Sequence, residues 1–400
     1  MTTFVAIALA IAVAAPAGAQ VPDHRLTFED AMARALRAAP QMDAARAGHD
    51  AARALQRQAL ARPNPSVRFD LEPASELTWS LEQQLELGGK RGARARAAAA
   101  DAEAARHVVV TESLTVRAAV RWRYAAAQAA RAATQLATES TRLAAEIAAT
   151  VSNKVRSGAT PASDAQRAQV EVETARLAES IAAIDAEIAT ARLLALWGEP
   201  ASGILEFDPI PDSLPPVPEP TEIEIRLARA PDLGTLAARA EAADRRVELA
   251  RALRVPDLDL EAGVRTARAS GDAGLVAGAA IPLPLFDRSA GLVAAASAER
   301  ARAAAELAAA TRERRLAVAE ALGAMRRARA LRTSSTTGVL PAARRAYDEI
   351  RLGYERGRFG YIDVLESRRA VVLAERGAIE GYLAHTAALA DLEAMIGELR

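Results

Sequence analysis

From Ala93 to Val155 the sequence contains neither proline nor glycine. Read as one α-helix at 1.5 Å per residue, that run is roughly 95 Å long. No ordinary globular domain is that wide, so a chain that carries such a helix must fold into an elongated body. A second helix-favouring run, about 289–355, has similar length, and Pro341 inside it predicts a kink. Composition agrees. Apolar residues make up 51% of the chain but aromatic residues only 4%. Much of the apolar share is alanine, which suits long helices in close approach rather than a core of large side chains.

The two long runs belong to a duplicated pattern. Pro40 and Pro65 are 25 residues apart, and so are Pro231 and Pro256. Gly158 and Gly198 are 40 apart, as are Gly357 and Gly397, and Asp164 and Asp363 keep the 199-residue offset that separates the two glycine pairs. Two spacings repeated in the same order predict two structural repeats, 20–209 and 221–400, joined by the proline-rich linker 210–220. Each reads as helix, two strands, very long helix, turn, helix. The first helix is expected over about 27–60, with Thr27 as N-cap and Asp30 three residues later. Its counterpart is 221–254. Pro161 opens a helix that runs to Trp197, and its counterpart is 361–396. Two shorter helices laid end to end match one long helix, so the body is expected to be a bundle of uniform length. A freestanding coiled-coil scaffold in the periplasm would explain the helices equally well.

The strands separate these readings. In Ser66–Glu72, Val67, Phe69 and Leu71 alternate with Arg68, Asp70 and Glu72. Over 76–87, Leu77, Trp79, Leu81, Leu85 and Leu87 alternate with Thr78, Ser80, Glu82, Gln84 and Glu86. Strands at about 257–266 and 273–284 occupy the equivalent place in the second repeat. Such alternation over about ten residues is the pattern of a transmembrane β-barrel strand, and also that of a soluble sheet packed on a core. Four strands cannot close a barrel, since the smallest have about eight. An open sheet edge cannot sit in lipid. If these hairpins cross a membrane, several chains must pool them.

Other features bound the function. Residues 4–16 are apolar and lead to Ala17-Gly18-Ala19, which predicts a signal peptide over 1–19 and export from the cytoplasm. No later stretch is apolar for the ~20 residues of a spanning helix. The 51 basic and 51 acidic residues cancel, which argues against nucleic acid as a partner. Cysteine is absent, so there are no disulfides, thiolate metal sites or cysteine nucleophiles. His24, His49, His107 and His385 are scattered without metal-ligand spacing and read as ordinary surface or seam residues. Gly88-Gly89-Lys90 lacks the spacing of a phosphate loop and reads as a strand-to-helix turn. No catalytic constellation is visible, and neither an enzyme nor a cofactor is expected.

Several segments together resemble the TolC family of outer membrane efflux proteins, and most closely its CzcC-like, heavy-metal branch. They are LTFEDAMARALRAAPQMDAARA (26–47), LARPNPSVRFDLE (60–72), LEQQLELGGKRGARARAA (81–98), IPLPLFDRSAG (281–291) and YERGRFGYIDVLESRRAVVLAE (354–375). The resemblance covers nearly the whole mature chain. It implies a homotrimer whose pooled hairpins form a twelve-stranded barrel in the outer membrane lipid, continued by an α-helical barrel in the periplasm. It implies docking to a periplasmic adaptor (a membrane fusion protein) and an inner-membrane pump of the resistance-nodulation-division type. The channel would be passive, conducting heavy-metal cations or, alternatively, drugs and other small molecules. Without a cysteine after the signal, no acyl anchor is expected.

In that setting the polar strand faces line the lumen. They carry Asp70, Glu72, Glu76, Glu82, Glu86, Asp257, Asp259 and Glu261 against mainly Arg68 and Arg265, which predicts cation preference. A merely solvated polar face is the plainer alternative. The turns 156–164 and 356–363 lie at the far helix ends, with Gly158 and Gly357 allowing left-handed turns. The resemblance makes these tips the periplasmic entrance, with Tyr354, Asp363 and Glu366 in gating and acidic-ring roles and Asp164 near them. Asp164 is also explained fully as a first-turn carboxylate. Where some relatives carry an arginine after the turn, this chain has Phe359, so the closing contact is either apolar or made by Arg356 or Arg358. Arg156, Lys154, Arg356 and Arg358 give the tips a basic surface suited to an adaptor.

Overall fold

The computed structural model describes residues 25–72, 76–200, 205–267 and 271–397. The expected signal peptide lies outside the described residues. In chain order the elements are β1 (Arg25–Leu26), α1 (Phe28–Ala38), α2 (Pro40–Ala59), β2 (Ser66–Glu72), β3 (Glu76–Leu85), α3 (Lys90–Arg156), α4 (Ala162–Leu194) and β4 (Glu206–Phe207). Then follow α5 (Pro220–Leu227), α6 (Pro231–Ala252), β5 (Leu258–Ala267), β6 (Ala273–Ala280), α7 (Ala290–Thr333), α8 (Leu340–Glu355) and α9 (Tyr361–Ile396).

The 67 residues of α3 make a helix about 100 Å long. α2 and α4 both pack along α3, one towards each end. The helices expected over 27–60 and 221–254 are each split in two. Ala39 and Ala230 sit in extended conformation (ψ 122° and 127°) directly before Pro40 and Pro231. The proline ring excludes the α region from the preceding residue, so the break was written in the sequence and the continuous reading is corrected here. Thr27 caps α1 as expected, its hydroxyl accepting from the Asp30 N–H at 3.1 Å. Around Pro341 the long second helix widens into a π-helical turn over Ser334–Val339, in which the Leu340 N–H reaches back to the Ser335 carbonyl. The proline, which has no N–H, falls just after it at the start of α8.

The core is a helical seam of small residues. Buried alanines recur along α3, at positions 93, 97, 102, 104, 125, 127, 129, 137 and 144, and let neighbouring helices approach closely. Larger side chains gather at mid-length: Val116, Val120, Tyr124, Leu193 and Trp197 in one cluster, and Val318, Leu322, Met325, Leu389 and Leu392 in another. A polar belt fastens the first cluster. Asp208, beside the parallel β1–β4 pair, accepts from Arg25 at 2.8 Å and from the Tyr124 hydroxyl at 3.0 Å. Tyr124 is itself pushed far upward in pKa, chiefly by burial. Gln128 donates to the Asp208 carbonyl at 2.6 Å and accepts from Tyr382 at 2.5 Å. Part of the proline-rich segment is held too, since buried Arg332 donates to the Pro211 carbonyl at 2.6 Å.

The four long strands form one antiparallel sheet in the order β2-β3-β5-β6. The hairpins are joined by β3 and β5, paired from Glu76↔Ala267 to Leu85↔Leu258. β2 and β6 are the open edges. Both hairpins lead into long helices at one end of the molecule, so the sheet continues a helical body rather than covering a core.

Candidate channel lining and entrance

One face of the sheet carries Val67, Phe69, Leu71, Trp79, Leu81, Leu260, Val264 and Leu275, all of them exposed. Phe69 and Trp79 meet edge to face, ring centroids 4.3 Å apart. An apolar sheet face turned outward with nothing over it is what a lipid-contacting strand requires. No helix among the described residues is long and apolar enough to cross a membrane.

The opposite face is polar and narrower in free charge than the sequence predicts. Glu82 accepts from Arg68 at 2.8 Å, and Glu76 lies 3.3 Å from Arg265. Glu86 and Asp257 are corrected most: neither is a free carboxylate of the strand face. Glu86 is held by both terminal nitrogens of Arg94 at the start of α3. The Asp257 carboxylate lies 2.7 Å from the Lys90 ammonium and accepts the Leu87 N–H at 3.1 Å. Both pairs lock the junction between sheet and helix. Among the described residues, Asp70, Asp259 and Glu261 remain on the polar face without an ion-pair partner. Glu261 stands directly across the ladder from Glu82, a like-charge pair that Arg68 offsets through its ion pair with Glu82. Glu72 stands opposite Glu76 in the β2–β3 ladder.

At the far end both helical hairpins close with the same turn. In the first, the Ala159 N–H reaches the Lys154 carbonyl and Gly158 N–H the Val155 carbonyl; in the second, Arg358 reaches Gly353 and Gly357 reaches Tyr354. These are the paired bonds of a Schellman cap, and Gly158 (φ 73°) and Gly357 (φ 76°) supply the left-handed residue.

The two tips are fastened to each other. Val151, Ala168, Tyr354, Tyr361 and Val364 form a buried cluster from four helices. Lys154 donates to the Tyr354 carbonyl, and its ammonium stands 4.1 Å from the centre of the Tyr354 ring. The Tyr354 hydroxyl is buried without a partner among the described residues, and its pKa is raised by burial and then by the nearby Asp164 carboxylate. Asp164 accepts from the Thr160 hydroxyl at 2.8 Å and lies 3.4 Å from Arg167, within the first turn of α4. Asp363 accepts the Gly360 N–H at 2.8 Å and caps α9 while staying exposed. Glu366 is exposed one turn on and has no partner among the described residues. Asp363 and Glu366 therefore share an open helix face, whereas Tyr354 and Asp164 belong to the packed interior of the tip. Phe359 lies over Gly353, where a Cβ would stand 2.3 Å from its ring. Arg156 is held by Asn153, and Arg356 and Arg358 are exposed with no partner among the described residues. Sequence reasoning placed Lys154 only in the basic surface and missed Lys90, Arg94 and Arg368. Arg368 is buried in α9 and donates to the Ser140 carbonyl of α3. His385 is fully buried, and among the described residues no histidine joins a group able to hold a metal.

A narrow sheet with an apolar outer face, seated on a long hollowable helix bundle, defines a channel-forming membrane protein that pairs a β-barrel with a helical tube. The chain matches the outer membrane efflux protein family over residues 31–199 and 223–398 and belongs to that family. It is 30% identical over 353 residues to the cobalt-zinc-cadmium resistance protein CzcC of Cupriavidus metallidurans, covering 87% of this chain and 84% of that protein. It is 31% identical over 285 residues to the nickel-cobalt-cadmium resistance protein NccC of Alcaligenes xylosoxydans, covering 68% and 63%. Among solved structures it shares its fold with the outer-membrane channel OprN (TM-score 0.79, 18% identity, 92% and 89% covered) and with the outer membrane protein VceC of Vibrio cholerae (0.78, 20%, 92% and 96%).

Proposed function

We propose that this efflux protein is the passive outer membrane exit duct of a tripartite system, assembled as a homotrimer, and that it conducts heavy-metal cations. The observation that carries the reading is the four-stranded sheet. It is apolar on one face and acidic on the other, and it is too narrow to close alone. Three copies give twelve strands, enough for a barrel. The metal assignment is supported by the resistance functions named in CzcC and NccC. A periplasmic adaptor would seat on the tips, where Arg356 and Arg358 stand exposed, and an inner-membrane pump would supply the driving force. The duct holds no catalytic group and no cofactor in this reading.

Cation preference follows from the surplus of Asp70, Asp259 and Glu261 on the polar face, repeated around the ring. Asp363 and Glu366 would add six carboxylates around a narrowing at the tips. Planar-bilayer recordings test both sites. The native channel is expected to be cation-selective and to be blocked from the tip side by multivalent cations. Asp363→Ala combined with Glu366→Ala is expected to weaken that block several-fold and leave the unblocked pore open. Anion selectivity would overturn the lumen assignment, and unchanged block would overturn the acidic ring.

A further inference from the structure

The helix ends that face the sheet share one charge pattern. α2 and α6 end there, and α3 and α7 begin there. The junction is made of residues 51–65, 86–97, 249–257 and 281–298. It carries ten basic residues against three acidic ones, in a chain that is neutral overall. All three carboxylates are committed locally: Glu86 to Arg94, Asp257 to Lys90, and Asp287 to the Ser289 N–H at 2.7 Å. Six guanidiniums are not. Arg53, Arg57, Arg62, Arg251, Arg254 and Arg288 are exposed and have no side-chain partner among the described residues.

Helix dipoles account for part of this band and oppose the rest. Arg57 and Arg251 lie in the last turns of α2 and α6, where a cation is favoured. The helices that leave the sheet run the other way. α3 opens with Lys90-Arg91, and Arg288 stands just before the N-cap of α7. Neither helix has an acidic residue in its first turn, whereas α2, α4, α6 and α9 each have one. Apolar side chains stand in the same band. β6 ends at Ala280, but its odd-numbered apolar positions run on through Ile281, Leu283 and Leu285, which are 51–74% exposed. Phe286 beside them is 99% exposed. Pro282 and Pro284, between them, have no N–H to extend the ladder. An aliphatic and aromatic rim beside a basic band is the composition of a membrane interface.

We propose that this junction is a collar that seats on the leaflet nearest the helical body and binds anionic phospholipids there. Its guanidiniums meet headgroup phosphates, and Leu283, Leu285 and Phe286 meet the first carbons of the acyl chains. The proposal deepens the channel reading and rests on it, because the sheet must span the membrane for the collar to meet a leaflet. A bilayer fits better than a soluble anion, since the cations are spread along the rim of the sheet and the apolar side chains beside them offer nothing to free phosphate. Arg62 and Arg288 stand next to the two edge strands, β2 and β6. Closing the barrel therefore gathers like charges, which a row of lipid phosphates would neutralise.

Native mass spectrometry of the detergent-purified full chain, titrated with phosphatidylglycerol or with phosphatidylcholine of identical acyl chains, tests the collar. Phosphatidylglycerol is expected to be retained about tenfold more tightly. A chain carrying Arg57→Gln, Arg62→Gln, Arg254→Gln and Arg288→Gln is expected to retain the two lipids equally and still to conduct in a phosphatidylcholine bilayer. Inorganic phosphate at the lipid's concentration is expected to displace neither. Equal retention of both lipids by the native chain would overturn the collar and leave the channel reading standing, and that comparison decides the point without the variant. An undiminished preference in the variant, or displacement of the lipid by inorganic phosphate, would overturn it as well. A native chain that neither inserts nor conducts in a phosphatidylcholine bilayer would overturn the channel reading itself.

Discussion

His385 is a buried ionisable group in the helical seam. It is fully buried in α9, and neither ring nitrogen has a partner among the described residues. Burial, and then the charge of Arg329, hold its pKa below the ordinary histidine value. An unfolded chain therefore takes up this proton at a higher pH than the native chain does. The stabilising effect of the neutral ring is complete above about pH 6.5 and is lost as the pH falls through the lower native value. His385→Leu is expected to flatten the fall in melting temperature between pH 7.5 and pH 5.5, and an unchanged fall would assign the acid sensitivity elsewhere. Among 51 basic residues the chain contains only two lysines, Lys90 and Lys154. Each reaches from the first half of the chain to the second, Lys90 to Asp257 and Lys154 to Tyr354. A compact ammonium fits these narrow sites, where the planar fork of arginine would need more room. That rarity was legible in the sequence and is the signal that would have found them. Asp257→Ala leaves the Lys90 ammonium buried and uncompensated, at a cost of about 3–5 kcal/mol. The double change Lys90→Met with Asp257→Leu is expected to recover most of that stability in chemical denaturation, and equal loss in both would refute an ion-pair origin.

At the level of the element, strand positions and the long helices were legible because they rest on periodicity, which the backbone enforces locally. β2 matches its predicted bounds, and Gly158 and Gly357 take the predicted left-handed turn. The helix breaks at Ala39 and Ala230 were equally local and were written in the following prolines. The π-helical turn before Pro341 was not legible, because a kink and a widened turn satisfy the same missing N–H. Nor were the junction pairs. Glu86 sits on the polar parity of its strand, and only its approach to Arg94 removes it from the open face. At the tips, Gly357→Ala forces a side chain into the left-handed region, at a cost of about 1–2 kcal/mol. The expected result is faster proteolysis within the turn at 356–360 with the sheet end unaffected. Unaltered cleavage would mean that the Schellman cap does not hold the tip together.

For the whole molecule, the governing fact is incompleteness. β2 and β6 are unpaired edges, and α4 leaves Val170, Leu177, Ile181 and Ile184 exposed along its outward side. Sheet and bundle thus lack neighbours in the same sense, and a ring of copies supplies both. This was legible from strand number alone, since a count of four is independent of any side-chain detail. The bare side of α4 became visible only with exposure, because its apolar spacing looks the same in sequence whether it meets its own chain or another. The most direct test is the mass of the detergent-purified protein, freed of bound detergent in the gas phase, followed by reconstitution of the same sample into a planar bilayer. The account predicts three copies and a stable conducting pore. A monodisperse monomer that leaves the bilayer sealed would contradict it.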